Sequence, residues 1–145
     1  MTDYYLRKWF DPILRKPCVP IEDFSNLSDL VDSMKTIMSE NYGVGLAAPQ
    51  VGDSRQILVA KVKGKKNIFI NPKIIYGEGL IILREGCLSF PRIFVPTFRK
   101  ELIQVEYQDI NGVKIKEIFG NIDAVILQHE IDHLRGKLMF QYFKR

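Results

Sequence analysis

The sequence Gln128-His129-Glu130-Ile131-Asp132-His133 constrains the architecture of the chain more than any other segment. It contains both of the chain's histidines, four residues apart. On a helix, that spacing places the two imidazoles on one face, one turn apart. The glutamate after the first histidine lies beside that face. This is the HExxH arrangement, in which two histidine nitrogens bind a metal and the carboxylate can accept a proton from water. We therefore predict a helix that holds a catalytic divalent metal ion and interpret the chain as a metal-dependent hydrolase.

A second segment contains a candidate for the third ligand. A catalytic metal site needs three protein ligands and one open coordination position. Cys87 is the best candidate, because it lies in a polar, loop-like stretch (85–89) that follows the apolar segment 80–83. A thiolate is a strong donor for transition metals. The alternative interpretation of Cys87 is a small buried hydrophobe. Cys18, which stands between Pro17 and Val19, fits that alternative better.

A third segment, residues 43–50 (GVGLAAPQ), is rich in small residues. It lacks the Lys-Ser/Thr pair of a phosphate-binding loop, and a strand follows it rather than a helix. Small residues let the backbone approach a ligand closely, and Gln50 adds an amide donor. A tight turn explains the segment equally well.

Helical periodicity marks two elements. Apolar residues from Leu27 to Met38 recur at helical spacing, with Ser28 or Asn26 as candidate caps and Gly43 as the end. The metal-binding helix is predicted from about Ile122 to Arg135, with Asn121 as its N-cap and Gly136 just past its end.

Between these helices the pattern changes to that of strands. Residues 55–62 and 67–75 form a predicted hairpin around Gly64, and the alternating segment 103–107 leads through Asn111-Gly112 into residues 113–116. Strands between two helices predict an α+β fold, with mainly antiparallel β-sheets packed around the C-terminal metal-binding helix and an N-terminal helix. We expect one domain over residues 1–145, in which residues 1–10 form an arm without a clear period.

Composition excludes several classes of protein. The 145 residues carry 46% hydrophobic and 26% charged residues, as a single globular core requires. The net charge of +4 is spread along the chain, and its densest run, residues 61–66, fits a solvated turn, so no DNA partner is expected. No apolar run is long enough to span a bilayer and no signal peptide is evident, which makes the cytoplasm the expected location. Two distant cysteines do not make a disulfide framework.

Taken together, the three segments resemble the peptide deformylase family, which is marked by the ordered motifs GxGLAAxQ, EGCLS and QHExDH. All three are present, at residues 43–50, 85–89 and 128–133. Flanking matches at residues 11–14, at 71–72, and at Leu134 with Gly136 extend the resemblance over nearly the whole chain.

The resemblance implies an enzyme that removes the formyl group from the N-terminal formyl-methionine of new polypeptides. It implies Cys87, His129 and His133 as metal ligands and Glu130 as general base. Gln50 and the backbone N–H of Leu88 would bind the oxyanion. Family members work best with Fe(II) and are often isolated with zinc or nickel, and Cys/His/His ligands suit all three metals.

The resemblance also implies residues around this centre. Gly45 and the Glu85-Gly86 loop would line the path of the peptide, and Asp132 would anchor the site through Arg99. An apolar pocket for the methionine side chain would be formed by Val44, Ile122, Val125 and Ile126. For Val125 and Ile126, core packing is an equally good interpretation.

Some features depart from the family pattern. The chain stops soon after the metal helix, as in a short form without a long C-terminal helix, and Arg92-Ile93 makes one loop more basic and bulkier than usual. A phage or organellar origin would suit a short form. The expected partners are formylmethionyl nascent chains and the ribosome. The alternatives are a zinc endopeptidase of the HExxH type, a small basic binding protein with a structural metal, and an inactive deformylase-like protein.

Overall fold

The structure, a computed structural model, describes residues 3–142. Within that range, besides three short 3-10 helices, the chain forms two α-helices and seven strands, in the order α1 (Ser28–Glu40), β1 (Gly45–Ala47), β2 (Ile57–Val62), β3 (Lys65–Glu78), β4 (Ile81–Cys87), β5 (Phe90–Arg99), β6 (Leu102–Gln108), β7 (Lys114–Gly120) and α2 (Asn121–Leu134). All pairings between these strands are antiparallel. The predicted α+β class with antiparallel sheets and two flanking helices is confirmed.

Five strands form the main sheet, in the order β1-β2-β3-β6-β7, and β4 and β5 form a separate two-stranded sheet. Alternate residues of β2 face opposite sides of the main sheet. Leu58 and Ala60 pack in the cluster that contains α2, whereas Ile57 and Val59 pack in the cluster that contains α1. Both faces of β2 are therefore covered, which explains why its sequence is a nearly continuous apolar run.

The start of α1 differs from the prediction. The helix begins at Ser28, and Leu27 occupies the N-cap position without a capping hydrogen bond from its side chain. Ser28 therefore lies inside the helix, and Asn26 adopts a left-handed conformation (φ 60°) before it. Neither predicted cap is used, and the helix is held by the buried apolar face formed by Leu30, Val31, Met34 and Met38.

The end of α1 uses Gly43, but in a different way from the one expected. Tyr42, not the glycine, takes the left-handed conformation (φ 56°) that follows the helix. The amide of Gly43 donates to Met38 O at 2.8 Å, and that of Tyr42 donates to Ser39 O at 3.2 Å. These two bonds form a Schellman motif, which satisfies carbonyl groups that the helix leaves open.

Helix α2 is the central element of the molecule. Every residue from Leu127 to Leu134 is buried, because the helix lies against β1 and β2 on its apolar side and carries polar ligands on another. It begins at Asn121 with Gly120 at the N-cap position, so the prediction of Asn121 as N-cap is wrong. Asn121 instead has a left-handed backbone (φ 56°).

The C-terminus of α2 closes as predicted, with Gly136 in the left-handed conformation (φ 75°). Its amide donates to His133 O at 3.1 Å, and the amide of Lys137 donates to Asp132 O at 2.9 Å, which is again a Schellman motif. A Cβ atom on Gly136 would lie 2.6 Å from the carbonyl oxygen of Arg15. The glycine thus allows the end of the metal-binding helix to pack directly on the N-terminal segment.

We expect Gly136→Ala to lower the free energy of unfolding by about 2–4 kcal/mol, through the left-handed backbone and the clash with Arg15. Gly64→Ala is the matched control, because Gly64 also has a positive φ (80°) but has no heavy atom within 4 Å of an added Cβ. It should cost only about 1 kcal/mol. Urea unfolding measures the free energy of unfolding of both variants. Equal losses would contradict the role of the close contact between Gly136 and Arg15.

Both predicted hairpins are present. Lys63 (φ 51°) and Gly64 (φ 80°) form the two-residue turn between β2 and β3, which matches a type I′ hairpin. The turn between β6 and β7 is longer: the Asp109 carboxylate accepts hydrogen bonds from the amides of Asn111 (2.8 Å) and Val113 (3.0 Å). Side-chain capping therefore completes a loop that the Asn-Gly pair alone does not close.

The two-stranded sheet and β1 were not predicted. Residues 85–89 were expected to be loop-like, but β4 continues through Cys87 and only Leu88 and Ser89 lie between the strands. Pro91 and Pro96 in β5 argue against a strand in sequence terms. They are accommodated because both strands of a two-stranded sheet are edges, where a missing N–H donor leaves no ladder partner unpaired.

Within residues 3–142 no helix has the length and apolar character needed to cross a membrane.

Candidate active site

The three predicted metal ligands converge at one point. The ligand atoms of Cys87, His129 and His133 all lie within 4.8 Å of one another. Cys87 Sγ is 3.4 Å from His133 Nε2, and the two Nε2 atoms are 3.2 Å apart. Ligands on a tetrahedral zinc-sized ion would be separated by about 3.6 Å for sulfur to nitrogen and about 3.3 Å for nitrogen to nitrogen. These two distances are close to those expected around one such ion, and all three donors are of types that bind it.

Two elements position these ligands. The four-residue spacing in α2 aligns His129 and His133, as the sequence predicts. In β4, alternation places Glu85 and Cys87 on the same side of the strand, facing the helix. Glu85 Oε1 lies 2.8 Å from Nδ1 of His129. When Nδ1 donates to this carboxylate, Nε2 is left as the metal-facing nitrogen.

A buried ion network supports this arrangement from behind. Arg99 contacts Glu85 through Nε (2.6 Å) and Nη2 (2.9 Å), and its Nη1 lies 2.6 Å from Asp132 Oδ2. The hydroxyl of Thr97 also hydrogen-bonds to Glu85. Burial alone would raise the pKa of Glu85, but the hydrogen bonds to Arg99 and His129 outweigh it and lower the pKa to about 2. Glu85 therefore presents a stable negative charge to the imidazole.

This placement changes the role expected for Glu85. The resemblance implies that Glu85 lines the path of the peptide, and Glu85 does line the smaller cavity described below. Its carboxylate, however, is held by Arg99 and His129. Gly86, its neighbour in β4, is exposed and lines the cavities described below. Asp132 and Arg99 are in direct contact, as the proposed pairing requires.

Glu130 lies beside the ligands and is 5% exposed. Burial raises the pKa of its carboxyl group to about 7. Its Oε1 atom is buried and has no hydrogen-bond partner among residues 3–142. A buried carboxylate oxygen without a partner has a high free energy unless a ligand or cation completes its environment. The side chain is thus in a position to exchange a proton with a molecule bound at the site.

Gln50 is also buried (1% exposed), with its amide held on both sides. Its Oε1 accepts from Ala47 N at 2.9 Å, so its Nε2 faces the site, 3.2 Å from Ser89 Oγ and 3.5 Å from Cys87 Sγ. The backbone amide of Arg7 donates to Gln50 O at 2.7 Å. The N-terminal arm, which sequence reasoning left without a role, therefore braces the segment that carries Gln50.

Two cavities meet at His129 and Glu130. The smaller, of about 220 Å³, contains the four predicted pocket residues together with two that were not predicted; its lining is Val44, Leu83, Arg84, Glu85, Gly86, Ile122, Val125, Ile126, His129 and Glu130. The larger, of about 490 Å³, is lined by Gly45, Gly86, Leu88 and Gln50 among others, and it also contains Cys87. A ligand at the metal position could thus extend in two directions.

Comparison with known proteins agrees with this geometry. The model of the polypeptide deformylase family matches residues 4–145. This chain belongs to the polypeptide deformylase family. The peptide deformylase of Thermus thermophilus is 41% identical over 158 aligned residues, which cover 95% of this chain and 81% of that protein.

Solved deformylases share the fold closely. The crystal structure of the enzyme from Thermotoga maritima matches with a TM-score of 0.96 and 38% identity, covering 100% of both chains. A deformylase from Synechococcus elongatus, crystallised in complex with actinonin, matches with a TM-score of 0.93 and 33% identity over 98% of this chain and 79% of that one.

Several residues of this deformylase site were missed by sequence reasoning. Ser89 accepts from Gln50, Thr97 hydrogen-bonds to Glu85, and Leu83 and Arg84 line the smaller cavity. For Glu85, a predicted site residue, the contact with His129 was missed. A signal for Glu85 was available, since Leu83, Glu85 and Cys87 alternate as residues on one face of a strand do. No comparable signal marks Ser89 or Thr97, whose contacts depend on the pairing of β4 with β5.

Gly45 of this deformylase has no room for a side chain. An added Cβ would lie 2.6 Å from Oε2 and 2.8 Å from Cγ of Glu130. Because Cγ is near the root of the side chain, Glu130 would have to move as a whole. We expect Gly45→Ala to lower kcat by about 100-fold, as displacement of a catalytic group by about 1 Å does.

The control for Gly45→Ala is Gly120→Ala, where the nearest heavy atom to an added Cβ is 3.8 Å away. Its kcat should stay within about twofold of the parent, because nothing near Glu130 is displaced. Steady-state formate release measures both variants. Full activity of Gly45→Ala would contradict the contact with Glu130.

Proposed function

We propose that this chain is a metal-dependent amide hydrolase that removes the formyl group from N-terminal formyl-methionine of new polypeptides and releases formate. One observation carries the proposal: a buried, unpaired Glu130 lies next to the Cys87, His129 and His133 cluster within the polypeptide deformylase fold. Family membership favours this activity over a zinc endopeptidase and over an inactive or purely structural metal protein.

The donor set favours a single divalent transition metal. One thiolate and two imidazoles suit Fe(II), zinc and nickel, and we propose Fe(II) as the working metal with zinc or nickel as replacements in isolated protein. When bound, such a metal supplies Lewis acidity and lowers the pKa of its bound water to about 7. Three protein ligands leave the open position that catalysis requires, whereas a structural site would use four.

The side chains of this chain then divide the remaining work. Glu130 accepts a proton from the attacking water and later delivers it to the departing amine nitrogen. The new bond joins the water oxygen to the formyl carbon, and the amide C–N bond breaks to leave formate and a free amino terminus. Gln50 Nε2 and the N–H of Leu88 are the donors for the oxyanion, and each such donor typically contributes about 3 kcal/mol to lowering the barrier.

The two cavities support one orientation of the substrate. The smaller one is mostly apolar and takes the methionine side chain, with Val44, Ile122, Val125 and Ile126 in contact with it. The rest of the peptide leaves through the larger cavity, past Gly45 and Gly86. Because β1 lies at the edge of the main sheet, an extended peptide can pair beside it as an added strand.

Formate release from formyl-Met-Ala-Ser by the purified protein tests the proposal directly. The expected result is stoichiometric formate and free Met-Ala-Ser, with no cleavage of internal peptide bonds. An acetyl-Met-Ala-Ser control should react far more slowly, because the extra methyl group must be accommodated beside the buried side chain of Glu130. Cleavage of an internal bond without formate would establish the endopeptidase instead, and no turnover of either peptide by metal-loaded protein would refute hydrolysis.

Metal removal provides a further prediction. Chelation should reduce formate release to background and lower the melting temperature, since a ligand that binds only the folded state stabilises it. Cys87→Ala should bind less than about one tenth of the metal of the parent under limiting metal, as loss of a ligand implies. Cys18→Ala is the matched control: burial raises the pKa of the Cys18 thiol to about 12, and Cys18 is not in the ligand cluster. Equal metal content in the two variants would contradict the ligand assignment.

The proposed substrate also suggests where the enzyme acts and with which partners. We propose that the enzyme acts in the cytoplasm on chains emerging from the ribosome; relatives from tomato and rice are named chloroplastic. Co-sedimentation of the protein with translating ribosomes tests the contact, and its absence at low salt would restrict the partners to released formylmethionyl peptides.

A further inference from the structure

The larger cavity carries positive charge that the proposed reaction does not use. Lys8, from the N-terminal segment, and Arg92, from β5, both line it. Glu130 is the sole carboxylate among the described residues of this lining, and it is assigned to proton transfer. No ion pair within residues 3–142 involves Lys8 or Arg92. The larger cavity therefore contains two positive side chains that no described carboxylate pairs with.

A distortion of the small sheet presents Arg92 to the cavity. In the β4–β5 ladder, Phe94 pairs with Gly86 and Phe90 pairs with Cys87, so residues 91–93 bulge out of the strand next to a metal ligand. Arg92 within this bulge has a left-handed backbone (φ 65°). Such a conformation is unfavourable for a non-glycine residue and is found preferentially at functional sites.

The same cavity also presents exposed apolar side chains beside these cations. Four of its lining residues are large hydrophobic side chains with high exposure, namely Tyr42 (96%), Val44 (52%), Ile93 (43%) and Phe94 (58%). A bound peptide would cover part of this apolar surface, so a charge pair formed beside it would be screened less than one on an open surface. An extended peptide in this cleft would place several of its side chains against this surface.

We propose that the larger cavity selects substrates with an acidic side chain among the three residues that follow the formyl-methionine. This inference rests on the proposed function, because it assumes that the peptide leaves through this cavity. Aspartate or glutamate at one of these positions pairs with Lys8 and Arg92, whereas lysine is repelled by them. Charge-assisted hydrogen bonds to the guanidinium group of Arg92 add geometric selectivity.

The test uses formyl-Met-Ala-X-Ser amides with X as Asp, Ala or Lys, and two further series with the charge at position two or four. At low ionic strength, kcat/KM for the best Asp peptide should exceed that of its Lys counterpart by about tenfold, as two charge pairs in a partly enclosed cleft imply. The ratio should fall below about twofold at 1 M salt, where the screening length is about 3 Å.

Single variants locate the effect. Lys8→Met and Arg92→Asn should each reduce the ratio of kcat/KM for the Asp peptide to that for the Lys peptide by about threefold. That is the contribution expected of one exposed charge pair. Asparagine tolerates the left-handed backbone at position 92, so the bulge should persist. Lys114→Met, an exposed lysine at the start of β7, is the matched control and should leave the ratio unchanged.

A second readout separates this inference from the proposed function. The affinities of fluorescein-labelled Met-Ala-Asp-Ser and Met-Ala-Lys-Ser amides, measured by anisotropy, require no turnover. Formate release from the neutral peptide tests the function, and the Asp/Lys ratio of affinities tests the cleft even if no formate appears. Equal kcat/KM and equal affinities across the charge series, or a ratio that survives removal of both cations, would overturn the inference.

Discussion

Replacing Glu130 with glutamine should lower kcat/KM for formate release by about 10³- to 10⁴-fold, near the upper end of what a positioned general base contributes. Glutamine keeps the size of the side chain but cannot accept the proton of the attacking water. Because burial already raises the pKa of Glu130 to about 7, its carboxylate is well matched to proton transfer near neutral pH.

Two controls belong with Glu130→Gln. Metal content and melting temperature should remain near those of the parent, since Glu130 is not among the three ligands. Glu106→Gln, which removes a carboxylate from β6 outside both cavities, should leave turnover unchanged. If Glu130→Gln retained more than about a tenth of the parental activity, far above the range for a lost general base, the mechanism would be refuted.

Replacing Arg99 with methionine should have the largest effect on stability. Arg99 is 4% exposed and bridges two buried carboxylates, those of Glu85 and Asp132. Removing one partner of a buried ion network leaves uncompensated charge and typically costs about 3–5 kcal/mol. Metal affinity should also fall by about 10- to 100-fold, because Glu85 would no longer be held against His129.

Denaturant unfolding of metal-free protein measures the first effect of Arg99→Met, and metal titration measures the second. The matched control is Arg55→Met, which breaks an ion pair with Asp53 at 2.8 Å whose arginine side chain is 35% exposed. That pair should contribute less than about 1 kcal/mol. Similar losses of unfolding free energy in the two variants would contradict the larger contribution expected of the buried Arg99 network.

Local spacing was sufficient to predict the elements that carry the ligands. The i, i+4 pair of histidines in α2 predicts both the helix and the shared face, since helical geometry alone aligns them. Gly64 and the alternation in β6 likewise predict the hairpins, because turn type and strand period depend on neighbouring residues. Helix caps were predicted less well, as tertiary packing of α1 outweighs a single capping hydrogen bond.

Strands β4 and β5 show where such prediction ends. Their sequences combine an apolar run with Pro91 and Pro96, and neither pattern distinguishes a strand from a loop. Pairing between them places Ser89 and Thr97 within reach of the site. Those contacts join residues that are far apart in sequence or that belong to different elements, so no local period encodes them.

The His129–His133 spacing and the order of the three motifs thus follow from the amino-acid sequence alone, because ligand type and helical period are local properties. Glu85 is different: its sequence position suggests a loop residue facing substrate, yet it orients the imidazole of His129 and pairs with Arg99. The space beside Gly45 that holds Glu130 is another such case. Both depend on how closely β1, β4 and α2 pack, and that distance is determined only when the apolar clusters of the whole molecule are buried together.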